Sequence, residues 1–440
     1  MSRDLLIECS PGEVRAFLVA GERLTDIRIE RDLGGPKLQE IWLGRVVSLL
    51  PAMPAALIDL GEDRPALLGA EDLPGGVEFD SLHEGQAVIV QVRRAAQGGK
   101  ATGLTMRPRL AGPGGALRPL AEEGARLERR RGQDPDEADI LPLERRWAAI
   151  LERAGTARPP QRLEASGDAL ETVLAGFAGT PLDAILVDGR AEYAAARHWC
   201  LAHRPEIVPK LRFEAGSLPE RHGIAAEVEE LLTPRVTLAC GGALTIEPVT
   251  AATFIDVDSG TASAGKDRDP DALALQVNFE AAAEVARQLR LRNLAGAIVV
   301  DFISMSRRDQ RDAVLEILRG ALRGDACAPD VKGWTKLGHV ELTRRRERPP
   351  LHEILYERRA GGSLVPTPAT VALEALRRVA REGDADPSRA ISLQVHPQVA
   401  AFLDGALLDA RRGLEARLGR PLQVTAEPGR APESFDIRRV

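Results

Sequence analysis

The chain has 440 residues, 44% hydrophobic and 28% charged, with a net charge of −6. That is room for several domains with ordinary cores, and it excludes a disordered or fibrous protein. No apolar run approaches the length needed to cross a membrane, and the opening MSRDLLIEC carries Asp4 and Glu8 where a signal peptide needs an uncharged segment. A cytoplasmic protein without membrane contact is expected.

The four cysteines, Cys9, Cys200, Cys240 and Cys327, lie far apart with no Cys-x-x-Cys spacing. This reads as four small buried side chains, with neither a disulfide framework nor a zinc site. The net charge argues weakly against a nucleic-acid partner, yet arginine clusters at RLERRR (126–131), RQLRLR (287–292) and RRRER (344–348). Such runs either track phosphates or form solvated helix faces.

In chain order, residues 1–32 alternate strand-like segments around PGE and GER turns and predict a β-meander. From Ile41 to Met106 come five short strands at close spacing, IWLGRVVSLL, AALIDLG, RPALLG, QAVIVQVRR and KATGLTM, the pattern of a small barrel. Gly44 and Gly61 suit its bends. Residues 107–135 are rich in Pro, Gly and charge, a connector. Helical periodicity is expected from about 142 to 178, with Trp147, Ile150, Leu151 and Ala154 on one face. A short strand AILVDG, a helix RAEYAAARHWC, a helix at 225–232 and a hairpin RVTLACGGALTIEPV turning at Gly241-Gly242 follow.

The next segment carries the chemistry. TFIDVDSG (253–260) reads as a strand with Phe254, Asp256 and Asp258 on one face. PDALALQVNFEAAAEVARQLRLRN is the strongest helix, with Leu275, Phe279, Ala282, Ala286 and Leu289 forming an apolar stripe. AGAIVVDFISM (295–305) is a second strand, and strand–helix–strand makes a right-handed βαβ unit with parallel strands. If the strands are neighbours, Asp256 and Asp301 lie about 4.8 Å apart in backbone, close enough for one cation. Two buried carboxylates there invite Mg²⁺ or Mn²⁺. The competing reading is a salt bridge to the segment's arginines, with Asp258-Ser259-Gly260 a turn. The last hundred residues alternate helix and strand and suggest a small α/β domain.

FIDVDSG followed by VNFEAAAEVARQLRLRNLAGAIVVDFISM resembles the catalytic region of the ribonuclease E/G family of bacterial endoribonucleases, with its I-D-V-N and D-F-I-D-M motifs. The resemblance implies that Asp256 and Asp301 are catalytic, metal-binding aspartates. It implies Mg²⁺-dependent cleavage of single-stranded RNA, leaving a 5′-phosphate, in RNA processing or decay. It also implies an α/β multidomain fold: an RNase H-like subdomain in two parts (1–38 and 162–234), an inserted S1-type OB-fold (39–111), a connector and reduced 5′-sensor region (112–161), a DNase I-like catalytic subdomain (235–345) and a small C-terminal α/β domain (346–440). A short, ribonuclease G-like member fits best.

Other positions follow from the same resemblance. Lys100 matches a lysine placed for phosphate, and Asn278 matches an asparagine beginning the helix. Arg287, Arg290 and Arg292 are candidate phosphate contacts, as is Lys266 in the loop after the first aspartate strand. The departures are informative. The barrel's stacking aromatics fall at Leu57, Leu60 and Leu67, which cannot stack on bases. The C-P-x-C zinc link is missing, so no zinc is expected and any homodimer is held otherwise. Asn of I-D-V-N is Asp258, which either joins the metal as a further ligand or repels the scissile phosphate. These losses leave an RNA-binding paralogue without catalysis as the alternative.

Overall fold

The computed structural model describes every residue except Met1, 95–100, 112–114, 120–124, 130–136, 264–268, 360–362, 387, 388 and Val440. The protein is mixed α/β and divides into two compact units. One comprises Met1–Arg31, Thr180–His198 and Glu206–Val440; the other comprises Asp32–Gly179 and Trp199–Pro205.

The first unit opens with the predicted meander, strands β1 (Arg3–Ser10), β2 (Glu13–Ala20) and β3 (Arg23–Arg31), all antiparallel. Leu5, Leu6 and Ile7 of β1 are fully buried, as a central strand covered on both faces requires. Glu13 at the head of β2 is interior and answered by Arg15, Arg31 and Arg377. Burial pushes its carboxyl up, but the three guanidiniums prevail and hold it down at about 2.

In the second unit, β4 (Ile41–Leu50), β5 (Ala55–Asp59), β6 (Ala66–Gly69), β7 (Ala87–Arg94) and β8 (Gly103–Thr105) close into an OB-like barrel through the β4–β7 pairing. Gly44 lets β4 bend over β5, because a Cβ there would lie 2.4 Å from Ile58 Cγ2. Beyond the barrel, β9 (Leu110–Ala111), β10 (Gly115–Pro119) and β11 (Ala125–Arg129) form a small antiparallel sheet. The long helical stretch expected from 142 to 178 resolves differently. A helix Glu137–Thr156 is followed by strand β12 (Gln161–Glu164), antiparallel to β4, and by a helix Ala169–Gly176. Ile150 is buried as expected, whereas Leu151 is exposed. The Pro159-Pro160 pair ends the helical run, since proline supplies no backbone N–H.

The chain resumes the first unit with β13 (Ala184–Val187), parallel to β1, and β14 (Leu211–Phe213), parallel to β13, giving the order β14-β13-β1-β2-β3. A second sheet has six strands: β15 (Arg235–Thr237), β16 (Ala243–Pro248), β17 (Ala252–Asp258), β18 (Gly296–Asp301), β19 (Asp330–Trp334) and β20 (Val340–Arg344). Their order is β15-β16-β17-β18-β20-β19, and β17 and β18 are the one parallel pair. The long helix Pro270–Leu291 makes the crossover between them, capped by Asp269 with Pro270 in its first turn.

At the C-terminal end, the helix Pro368–Ala385 precedes a three-stranded sheet in which Ile391–Val395 lies between Gln423–Ala426 and Phe435–Arg439. The single helix expected over AAFLDGALLDARRGLEARLG is two, Pro397–Asp404 and Leu408–Leu418, with Gly405 at the break. The closing strand Phe435–Arg439 is rich in charge and lies outside the elements expected from the sequence. None of the four cysteines is in a disulfide; Cys200 and Cys327 are buried, while Cys9 and Cys240 are only half-buried. Among the described residues no helix is long and apolar enough to cross a membrane.

Candidate active site

The six-stranded sheet is covered on one face. Ile255 and Val257 of β17 and Ile298 and Val300 of β18 point inward, each no more than 5% exposed, against the long helix and the helix Arg308–Ala321. The alternating residues Phe254, Asp256 and Asp301 are exposed on the other face. The expectation that the aspartates are buried is therefore corrected. A sheet with helices on one side has a wet side, and strand alternation puts the charges there.

Asp256 and Asp301 stand directly opposite each other in the parallel register of β17 and β18. Partial desolvation raises the Asp256 pKa above the usual carboxylate range, and the like charges of Asp301, Asp258 and Glu247 add to that rise. Among the described residues Asp256 has no hydrogen-bond or ion-pair partner. Asp301 faces His339, whose Nε2 lies 3.6 Å from its Oδ2.

Asp258 is engaged differently. Arg235 on β15 donates to both its carboxylate oxygens, at 3.1 and 3.4 Å, and Gly260 N–H donates to Oδ1 at 2.7 Å. The second contact closes the turn expected at Asp258-Ser259-Gly260. Gly260 has φ +48°, and a Cβ there would lie 2.4 Å from Gly241 O, so the loop after β17 packs on the β15–β16 turn only with glycine at this position. Among the described residues, no three His, Cys, Asp or Glu side chains converge to form a metal-binding cluster. The structure thus brings Asp256 and Asp301 together and ties Asp258 to an arginine.

The long helix is more deeply enclosed than its predicted stripe implied. Val277, Ala281, Ala282, Val285, Ala286 and Leu289 are buried against the six-stranded sheet, and Leu291 belongs to the core under the N-terminal sheet. Leu275 and Phe279 only flank that core. This double packing gives four of the expected RNA contacts partners inside the protein. Asn278 is fully buried; its amide donates to Ile303 O at 2.8 Å and accepts from Ile303 N–H at 3.0 Å. It pins the backbone immediately after Asp301 and has no access to a phosphate.

Arg287 is spent on Glu284, Glu227 and the Leu24 carbonyl. Arg290 donates to the Ala321 carbonyl, and burial lowers its pKa. Arg292 is buried against Gln288, and burial brings its pKa down to about 10. A guanidinium enclosed by a helix packed on two sheets must find internal acceptors. Lys100 and Lys266 lie outside the described residues.

Two residues at this face, His339 and Arg235, are absent from the sequence reading, which places Phe254 here without a role. His339, in GWTKLGHVEL, reaches Asp301 because β20 pairs antiparallel with β18, a neighbour relation that the order of segments leaves open. Arg235 meets Asp258 across β16, which pairs with both of their strands. Phe254 shares the face of Asp256 and is 49% exposed, against the usual fate of a strand phenylalanine. In the barrel, Leu60 is buried in the core, while Leu57 and Leu67 are half-buried and face each other across β5 and β6. All three positions serve packing to some degree.

A profile of the ribonuclease E/G family matches residues 130–347. Ribonuclease G of Salmonella typhimurium is 31% identical over 490 aligned positions, covering 99% of both chains. Ribonuclease G of Haemophilus influenzae is 29% identical with the same coverage. Ribonuclease E of Escherichia coli is 27% identical over 95% of this chain, but over only 44% of that longer protein.

Proposed function

The chain belongs to the ribonuclease E/G family, and on that premise we propose that it is an endoribonuclease cleaving single-stranded RNA with a divalent cation, Mg²⁺ or Mn²⁺. The observation carrying this reading is the direct register of Asp256 with Asp301 on the open face of the sheet. The two carboxylates fit a hard cation: they supply oxygen donors on adjacent strands, and Asp256, raised in pKa by desolvation and then by its anionic neighbours, lacks a counter-charge among the described residues. Held there, such an ion would activate water toward a phosphodiester and shield charge developing on the phosphate.

The chain's own groups supply the rest. Asn278 fixes the backbone after Asp301, and His339 stands 3.6 Å from the Asp301 carboxylate, on the β20 side. Arg235 neutralises Asp258, which leaves Asp256 and Asp301 as the paired carboxylates that would hold the cation. The order β14-β13-β1-β2-β3, with three antiparallel strands followed by two parallel ones, supports an RNase H-like N-terminal subdomain, and the six-stranded sheet supports a DNase I-like catalytic one.

Purified protein incubated with labelled single-stranded RNA and Mg²⁺ should produce internal cleavage. Asp256→Asn and Asp301→Asn should each reduce it about 100-fold or more, the scale of losing one preorganised charge-stabilising group. Unchanged cleavage in both variants defeats the assignment. The leucines at 57, 60 and 67 favour a second reading, an RNA-binding paralogue without catalysis. Salt-dependent RNA binding by wild-type protein with no cleavage at any Mg²⁺ concentration would establish that reading instead.

A further inference from the structure

We propose that Phe254 is a stacking platform for one nucleobase of the RNA strand beside the carboxylate pair; the proposal deepens the endoribonuclease reading and rests on it. Phe254 is 49% exposed while the next residue along, Ile255, is 1% exposed, so its ring stands on the open face. It precedes Asp256 by two residues, about 6.6 Å along a strand, a distance comparable to one nucleotide. It is the one aromatic ring among the large hydrophobic side chains exposed in the described residues. No aromatic or cationic group of the described protein stacks on it.

Its surroundings select the base as the occupant. Val299 stands beside it on β18, in direct register, and extends the apolar spot by one side chain. Glu247 pairs with it on β16, and Glu341 lies beyond Val299 on β20. Those carboxylates repel a phosphate but tolerate the neutral, flat part of a nucleotide. They also argue against a second copy of the chain, since interface cores are depleted of charge and a stable contact needs roughly 1,000 Å² or more. The barrel has leucine at 57, 60 and 67, so an aromatic at the cleavage face moves base stacking next to the chemistry.

The test is equilibrium binding of a fluorescent single-stranded RNA, read by anisotropy, to Asp301→Asn protein in EDTA, which keeps the ring and holds cleavage off for the length of the measurement. Adding Phe254→Ala should weaken binding about 5- to 140-fold, the equivalent of about 1–3 kcal/mol per stacked base. Phe254→Trp should retain binding; Phe254→Leu, apolar but without a π-face, should lose it as alanine does. An abasic site walked along the RNA should reproduce the loss at one position, where Phe254→Ala then adds nothing.

Equal binding by the alanine variant overturns the proposal, and so does full binding by the leucine variant. An unchanged thermal melt separates these results from misfolding. If Phe254→Ala dissociates a dimer while binding per protomer is unchanged, the ring belongs to a contact between copies and the proposal fails. The two readings part cleanly. Phe254-dependent binding without wild-type cleavage keeps the platform and removes the nuclease; wild-type cleavage indifferent to Phe254 does the reverse.

Discussion

Replacing Arg235 by glutamine would leave the Asp258 carboxylate uncompensated two residues from Asp256. The ion pair spans 3.1 Å, with the side chains 59% and 37% exposed, so its own worth to stability is about 0.2–1 kcal/mol and the melt should barely move. Its effect on a cation at Asp256 and Asp301 is larger. A unit charge about 7 Å away acts with about 0.6 kcal/mol in water and about 2.4 kcal/mol at an effective dielectric of about 20. A divalent ion doubles that. The low end is therefore about 1 kcal/mol, roughly fivefold in affinity.

Arg235→Gln should tighten Mn²⁺ binding, measured by calorimetry or by the signal of the free ion in electron paramagnetic resonance, about fivefold or more. Asp258→Asn strands the guanidinium and should weaken binding by a similar factor. The double variant restores neutrality and should bind like the parent. A double variant binding more than tenfold weaker than the parent would refute this reasoning, because Asp258 would then be a ligand in its own right.

Two further predictions concern the scaffold. Arg344, 4% exposed, bonds Asp325 at 2.9 and 3.1 Å, together with the Asn293 side chain and the Leu294 carbonyl, and Asp325 has no more access to water. Arg344→Leu strands that carboxylate and should cost about 3–5 kcal/mol in chemical denaturation; a loss under 1 kcal/mol would show that the pair contributes little. Burial pushes the Asp188 carboxyl up to about 7, helped by Glu8 and Glu192. A folded pKa above the unfolded one adds stability that is complete below about 4 and is lost as pH rises through about 7. Asp188→Asn should therefore raise the melting temperature at pH 8 relative to wild type more than at pH 5, and an equal shift at both would contradict the assignment.

Local pattern alone specified much of this protein. The barrel strands, the N-terminal meander, the Asp258-Ser259-Gly260 turn and the βαβ order of the catalytic segment are legible because alternation, glycine placement and helix periodicity act over a few residues. The resemblance around TFIDVDSG and AIVVDFIS singled out Asp256 and Asp301, and short-range sterics then aimed both side chains to one face. Burial was not legible. RQLRLR reads equally well as a solvated face or as an internal one, and only the packing of the long helix against two sheets consigned Arg287, Arg290 and Arg292 to internal acceptors. The partners of the aspartates were hidden for the same reason. Arg235 and His339 reach Asp258 and Asp301 through strand neighbours fixed by sheet order, and which strands become neighbours depends on the whole sheet's burial, which no local stretch of sequence encodes.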